Sequence, residues 1–178
     1  MTNNLQIDRN WLCAAAAYCF GTGTEEQLAA SSLSWLPSAP ASDSLFRLAD
    51  ETAADYTRNE DIYGWISDII FTFTTSDFSA DDFRWIATRC VIDKSPSIET
   101  AESVARFLNR VAILHPEEFD LLSTFVAYSD DLDDGFDVNL IRVQIIDEYN
   151  RTASEIKARF NQYFSSRPNH EWVLGIFE

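Results

Sequence analysis

The sequence contains few residues that interrupt helices, with only five glycine and five proline residues among 178. That is about half of the share found in ordinary globular proteins. It also lacks any apolar run near the roughly 18 residues of a membrane span. Its first ten residues have neither the basic start nor the apolar stretch of a signal peptide. We therefore expect a soluble, cytoplasmic protein that is built mostly from helices.

The sequence also lacks the motifs of common cofactor and metal sites. The turn at residues 21–23, Gly-Thr-Gly, has neither the third glycine of a dinucleotide-binding loop nor the Gly-Lys-Ser/Thr of a P-loop. The two histidines, His115 and His170, are too few for a histidine-rich metal centre. Acidic pairs that begin helices are explained by the helix dipole. The sequence therefore predicts no catalytic residue, no cofactor and no metal ligand.

One acidic segment can be compared with the calcium-binding loop of an EF-hand. If Gly135 is the sixth residue of that loop, Asp130 takes the first position and is a suitable ligand. The third and twelfth positions are then Leu132 and Ile141, which offer no side-chain oxygen. Residues 129–137 are therefore predicted to form a solvated acidic loop.

Signals for the start of a helix recur along the chain. Thr24 and Thr152 each open a capping box, and Asp8 and Ser79 also stand where helices are predicted to begin. The most regular apolar stripe consists of Ile98, Ala101, Val104, Ala105, Leu108 and Val111. We expect a mainly α fold in which residues 1–178 form a single compact, acidic, multi-helix domain with Leu108 in its core.

Two segments are compatible with either helix or strand. In residues 140–146 apolar and polar residues alternate, although Ile141, Ile145 and Tyr149 also have helical spacing. Residues 171–177 form a short apolar tail. One or two short strands near 140–146 and 171–177 therefore remain open, as does the choice between helix and strand for residues 138–149.

Charge is the most unusual property of the composition. The chain has 29 acidic residues against 13 lysines and arginines, which gives a net charge of −16. A compact chain of this length has a radius of gyration near 16 Å, and duplex DNA twice that long carries about 19 charges. The two totals are comparable. Such a surface repels nucleic acid and attracts basic protein surfaces.

The acidic residues are concentrated in two tracts of the sequence. Between Arg110 and Arg142 there are eight acids and no lysine or arginine, and between Arg47 and Arg84 there are nine acids and one base, Arg58. Three aromatic residues, Trp35, Trp85 and Phe136, lie off the apolar stripes or in the acidic segment and are expected to be exposed. The candidate partner-binding residues are Asp81, Asp82, Glu117, Glu118, Asp130, Asp131, Asp133, Asp134, Phe136 and Asp137.

The leading hypothesis for function is a binding protein without enzymatic activity. Its acidic surface would occupy a basic, nucleic-acid-binding site on a partner protein, as small inhibitors of restriction or CRISPR nucleases do; this analogy rests on charge and size alone. An immunity protein that neutralises a basic toxin is one alternative. A helical enzyme that holds Mg²⁺ or Mn²⁺ on scattered acidic side chains is another. None of these hypotheses involves direct contact with nucleic acid or a membrane.

Overall fold

The prediction of a mainly α protein is confirmed. A computed structural model describes residues 7–50, 59–93, 98–114 and 116–178, and within them every regular element is helical. Short 3-10 turns at Pro116–Glu118 and Pro168–His170 accompany the α-helices. The α-helices are α1 (Arg9–Cys19), α2 (Glu25–Trp35), α3 (Asp43–Ala49), α4 (Asn59–Thr74), α5 (Ala80–Ile92), α6 (Ile98–Leu114), α7 (Phe119–Asp133), α8 (Val138–Ser165) and α9 (Trp172–Phe177).

The chain divides into two compact units. The first unit comprises residues 1–87 and 161–178, and the second comprises residues 88–160. Helices α5 and α8 each contribute residues to both units. The organisation of the whole chain as one domain stays a prediction.

Aromatic side chains form the core of the first unit. The ring of Trp11 lies 5.1 Å from that of Trp35, which in turn lies 5.5 Å from the ring of Phe73. The indole nitrogen of Trp11 donates a hydrogen bond of 3.0 Å to the hydroxyl of Ser32. Trp35 and Trp85 are both buried, so the expectation that they are exposed is wrong. The reason is that the buried face of α2 runs through Leu28, Ser32 and Trp35, whereas in α5 most residues from Asp82 to Arg89 are buried.

The first two helices begin where the sequence predicts. The carboxylate of Asp8 accepts a hydrogen bond from the amide of Trp11, and Thr24 and Gln27 form a reciprocal capping box. Gly21 follows the C-cap of α1, and its φ of 75° lies in the left-handed region that favours glycine. The amide of Gly21 donates to the carbonyl of Tyr18, which closes the helix.

Helix α6 supplies much of the core of the second unit and packs against α7. Its stripe is buried from Ala101 to Val111, and Leu108 is fully buried as predicted. The side chain of Ile98 lies outside the described residues. Tyr149 of α8 is also buried, and its hydroxyl donates a hydrogen bond to the carbonyl of Ile92.

The two segments that the sequence left open are helical: residues 138–149 belong to α8 and most of the segment 171–177 belongs to α9, so neither forms a strand. Two expectations about local structure are wrong. Thr152 does not begin a helix but lies buried inside α8, where its hydroxyl donates to the carbonyl of Glu148. Part of the predicted acidic loop is helical, because α7 continues to Asp133. None of the described helices combines the length and the apolar character needed to span a membrane.

Candidate functional site

The predicted acidic loop is the end of α7 followed by a tight turn. Gly135 has a φ of 87°, and the amide of Phe136 donates to the carbonyl of Asp131 at 3.0 Å. The amide of Gly135 donates to the carbonyl of Leu132 at 3.2 Å. This pair of hydrogen bonds is the Schellman motif, which requires a left-handed residue after the helix. Gly135 therefore closes a helix instead of occupying a calcium-binding loop.

Helix α8 begins two residues after this turn. The carboxylate of Asp137 accepts a hydrogen bond of 2.8 Å from the amide of Asn139, which is the usual role of an N-cap residue. Only residues 134–137 separate α7 from α8. The two helix ends therefore bring the acids of both into one short segment, which we call the acidic turn and define as residues 130–137.

The carboxylates of the acidic turn are largely exposed to solvent. Asp130, Asp134 and Asp137 are exposed, and no described lysine, arginine or histidine lies within 4.0 Å of their oxygens. Asp133 is exposed too and pairs with Arg106 at 2.5 Å. Asp131 is half-buried. Most of the negative charge in this segment is thus available to a binding partner.

These acids stand at the end of a helix where negative charge is unfavourable. The partial negative charge of the helix dipole lies at the C-terminus, and each acid in the last turn destabilises a helix by about 0.3–1 kcal/mol. Asp130, Asp131 and Asp133 lie in the last turn of α7, Asp134 is its C-cap, and that turn contains no basic residue. Helix stability therefore gives no reason for the four carboxylates.

Three acids of the first unit have a structural explanation. Glu25 and Glu26 lie in the first turn of α2, and Asp43 lies in the first turn of α3, where the dipole favours negative charge. A hydrogen bond from its own backbone amide and another from the Thr24 hydroxyl hold the pKa of Glu26 below its ordinary value. The acidic turn differs from these sites because the helix dipole destabilises carboxylates at the C-terminus of a helix, whereas it stabilises those in a first turn.

Negative charge also surrounds Tyr128, one turn before the acidic turn. Burial raises the pKa of the Tyr128 hydroxyl, and the carboxylates of Glu148, Asp131 and Asp147 raise it further, while Arg151 lowers it. Asp131 belongs to α7, whereas Asp147 and Glu148 belong to α8. The acidic field therefore extends from the end of α7 along the first turns of α8.

Apolar side chains are exposed in the same region. Phe136, Leu140 and Val143 have 56%, 72% and 58% of their surfaces exposed, respectively. The exposure of Phe136 agrees with the prediction. Leu140 and Val143 were not predicted, although the sequence contains a signal for them. The buried stripe of α8 includes Ile145 and Tyr149, and helical geometry puts positions 140 and 143 on the opposite side of the helix.

Asp82, a predicted partner-binding residue, is fully buried in the first unit. One of its oxygens accepts hydrogen bonds of 2.6 Å from both the amide and the hydroxyl of Ser79. The other accepts 3.2 Å and 2.7 Å bonds from Tyr163 and Arg167. Asp82 therefore caps α5 and fixes the C-terminal segment, and it is withdrawn from the candidate surface. The contact with Ser79 follows from the local Ser-x-x-Asp spacing, but the burial could not be predicted, because Tyr163 and Arg167 lie about 80 residues away.

The remaining candidates have mixed environments. Asp81 is 57% exposed and pairs with Arg84 at 3.0 Å within the first turn of α5. Glu117 is exposed at the 3-10 turn before α7, whereas Glu118 is buried and pairs with Arg159. Glu118 is therefore withdrawn as well, because its carboxylate is neutralised inside the second unit. The acidic turn is the largest exposed acidic group among the predicted residues.

Two further observations concern possible chemistry. Burial raises the pKa of the Cys19 thiol to about 12, so the thiolate that a nucleophile needs is scarcely populated at neutral pH. No three acidic, histidine or cysteine side chains converge as metal ligands within the part of the chain that the structure describes.

Comparison of the chain with protein-family models, with curated proteins and with solved structures finds no match.

Proposed function

We propose that the protein is a binding protein whose acidic turn occupies a basic, nucleic-acid-binding site on a partner protein. The observation that carries this proposal is the placement of four carboxylates at the C-terminal end of α7, where they weaken the helix that bears them. Asp133 has a structural contact, its ion pair with Arg106 of α6, whereas the carboxylates of Asp130 and Asp134 make no ion pair with any described residue. Residues that reduce stability without a structural role are typical of functional surfaces.

The density of charge supports a nucleic-acid-binding site as the target. Four acids lie within five consecutive residues, namely Asp130, Asp131, Asp133 and Asp134. At a rise of about 1.5 Å per residue, they span only about 6 Å of helix axis. Duplex DNA carries about 3.5 charges over the same length. A protein site that binds the phosphates of DNA would therefore meet a similar local charge.

The proposal is tested by capturing the partner and asking what displaces it. The full chain is immobilised and exposed to a lysate of its source organism, and bound proteins are eluted with a short DNA duplex. We expect a basic protein that the duplex releases, because the duplex and the acidic turn compete for one site. An acidic partner, or one that excess duplex fails to release, would contradict the proposal.

Two variants with the same change in net charge make this test specific. The site variant replaces the four acids of the acidic turn that lie on α7 or at its C-cap, and the control variant replaces four acids of the first unit. The site variant is Asp130→Asn, Asp131→Asn, Asp133→Asn and Asp134→Asn. The control variant is Glu25→Gln, Glu26→Gln, Asp43→Asn and Glu171→Gln. Capture should be weaker in the site variant than in the wild type and unchanged in the control variant.

A further inference from the structure

Phe136, Leu140 and Val143 form an exposed apolar stripe at the start of α8, which we call the α8 stripe. Their positions are separated by four and then three residues, and the exposed side chains lie opposite the buried Ile145 and Tyr149. Phe136 lies in the turn before α8, and Leu140 and Val143 are about 4.5 Å apart along the helix axis at a rise of about 1.5 Å per residue. Exposed aliphatic residues at this spacing match the anchors that one amphipathic helix presents to another.

Acids stand at both ends of the α8 stripe. Asp137 precedes Leu140 by three residues, and Asp147 follows Val143 by four, so all four share one side of the helix. Both acids are exposed. The α8 stripe is therefore an apolar strip with an exposed acidic residue near each end.

The negative charge beside the α8 stripe indicates which kind of partner can bind there. Binding of a second copy of this chain would bring the acidic residues of two stripes together, which is unfavourable in a protein of net charge −16. An anionic membrane surface would be repelled for the same reason. We infer that the α8 stripe binds a basic amphipathic helix of the partner protein, with apolar residues on the stripe and lysine or arginine against Asp137 and Asp147. This inference rests on the proposed function and adds the shape of the partner's element.

The test uses two labelled peptides of about 14 residues, or four helical turns, with the same leucine and lysine content. In the first peptide the leucines follow helical spacing, and in the second they alternate with lysines. Binding of each peptide to the full chain is measured by fluorescence anisotropy. We expect the helical peptide to bind at least about tenfold more tightly, because only it can bury its leucines on the stripe.

Two variants separate the stripe from other exposed apolar side chains. Leu140→Gln with Val143→Gln removes the stripe, and Leu33→Gln with Phe46→Gln removes two exposed apolar side chains of the first unit. The stripe variant should lose about tenfold or more in affinity for the helical peptide and little for the alternating one. The control should bind both peptides as the wild type does. Circular dichroism checks that both variants keep their helices.

The outcomes distinguish the inference from the proposed function. If the stripe variant binds the helical peptide as tightly as the wild type does, the α8 stripe is not the docking site and the inference fails. The proposed function is then judged by the site variant, whose four lost charges should weaken the binding of both peptides at low salt. If the site variant also binds like the wild type, or if neither peptide binds the wild type, the proposed function fails too.

Discussion

Asp81 and Asp82 are adjacent in the sequence but have opposite roles. Asp81 is exposed and makes an ion pair with Arg84 within one helix turn. Asp82 is buried and accepts hydrogen bonds from Ser79, Tyr163 and Arg167. A tract of acids in a sequence therefore mixes residues that stabilise the fold with residues that can serve a partner. Only the positions of distant side chains separate the two groups.

The Asp82→Asn variant should lower the free energy of unfolding by about 2–4 kcal/mol, because a buried carboxylate and its charged hydrogen bonds are lost together. The value lies below that of a fully buried pair, since the Arg167 side chain is 34% exposed. The matched control is Asp81→Asn, which should change stability by less than about 1 kcal/mol. Urea denaturation measures both variants. Equal shifts for the two would show that Asp82 is not a structural residue.

The tryptophans show a limit of sequence patterns at the same scale. Trp35 and Trp85 lie off the apolar stripes of their helices, and the sequence therefore indicated exposure. Both are buried, and Trp35 contacts the rings of Trp11 and Phe73. The buried face of α2 includes the polar residue Ser32, which a stripe of apolar residues leaves out, and α5 is buried at most positions from Asp82 to Arg89. Phe136 was predicted correctly because it lies in a turn between helices.

At the scale of elements, local signals predicted helix starts better than helix continuity. Thr24 begins α2 with the expected capping box. Thr152 has the same sequence pattern but lies inside α8, because its hydroxyl is satisfied by the carbonyl of Glu148 one turn earlier. The pattern alone cannot separate these cases. The 28 residues of α8 were therefore divided in the prediction, and the exposed face at Leu140 and Val143 was missed.

Two glycines should respond in opposite directions to the same substitution. Gly135→Ala should destabilise the protein by about 1–2 kcal/mol, because a φ of 87° is unfavourable for any side chain even where space is available. Gly64→Ala should stabilise it by about 0.5–1 kcal/mol, because Gly64 is an exposed interior position of α4 with no atom near the added methyl group. Thermal unfolding measures both. A stabilising Gly135→Ala would contradict the Schellman motif at the end of α7.

The helix dipole predicts that the site and control variants differ in stability as well as binding. Neutralising the four acids at the end of α7 should raise the free energy of unfolding, by about 0.3–1 kcal/mol for each acid that the dipole disfavours. The control variant should be less stable than the wild type, because Glu25, Glu26 and Asp43 lie in first turns. Denaturant titrations at low salt compare them. A destabilised site variant would mean that the acidic turn has a structural role.

At the scale of the whole molecule, the sequence predicted the helical class and the excess of negative charge but not where that charge is exposed. The two acidic tracts fall in different units of the fold. In the first, Asp82 is buried, and in the second, Glu118 is paired inside the unit while the acidic turn is open to solvent. Burial and pairing depend on residues far apart in the chain, which explains why the predicted partner-binding residues include buried acids as well as exposed ones.

The central claim is that the acidic turn accelerates encounter with a basic partner. Its most direct test is the association rate of the captured partner with the wild type, the site variant and the control variant at low and high salt. We expect the rate for the wild type and the control variant to fall steeply with salt, and the rate for the site variant to be slower at low salt with a flatter dependence. If the site variant associates as fast as the wild type with the same salt dependence, the acidic turn is not the binding surface.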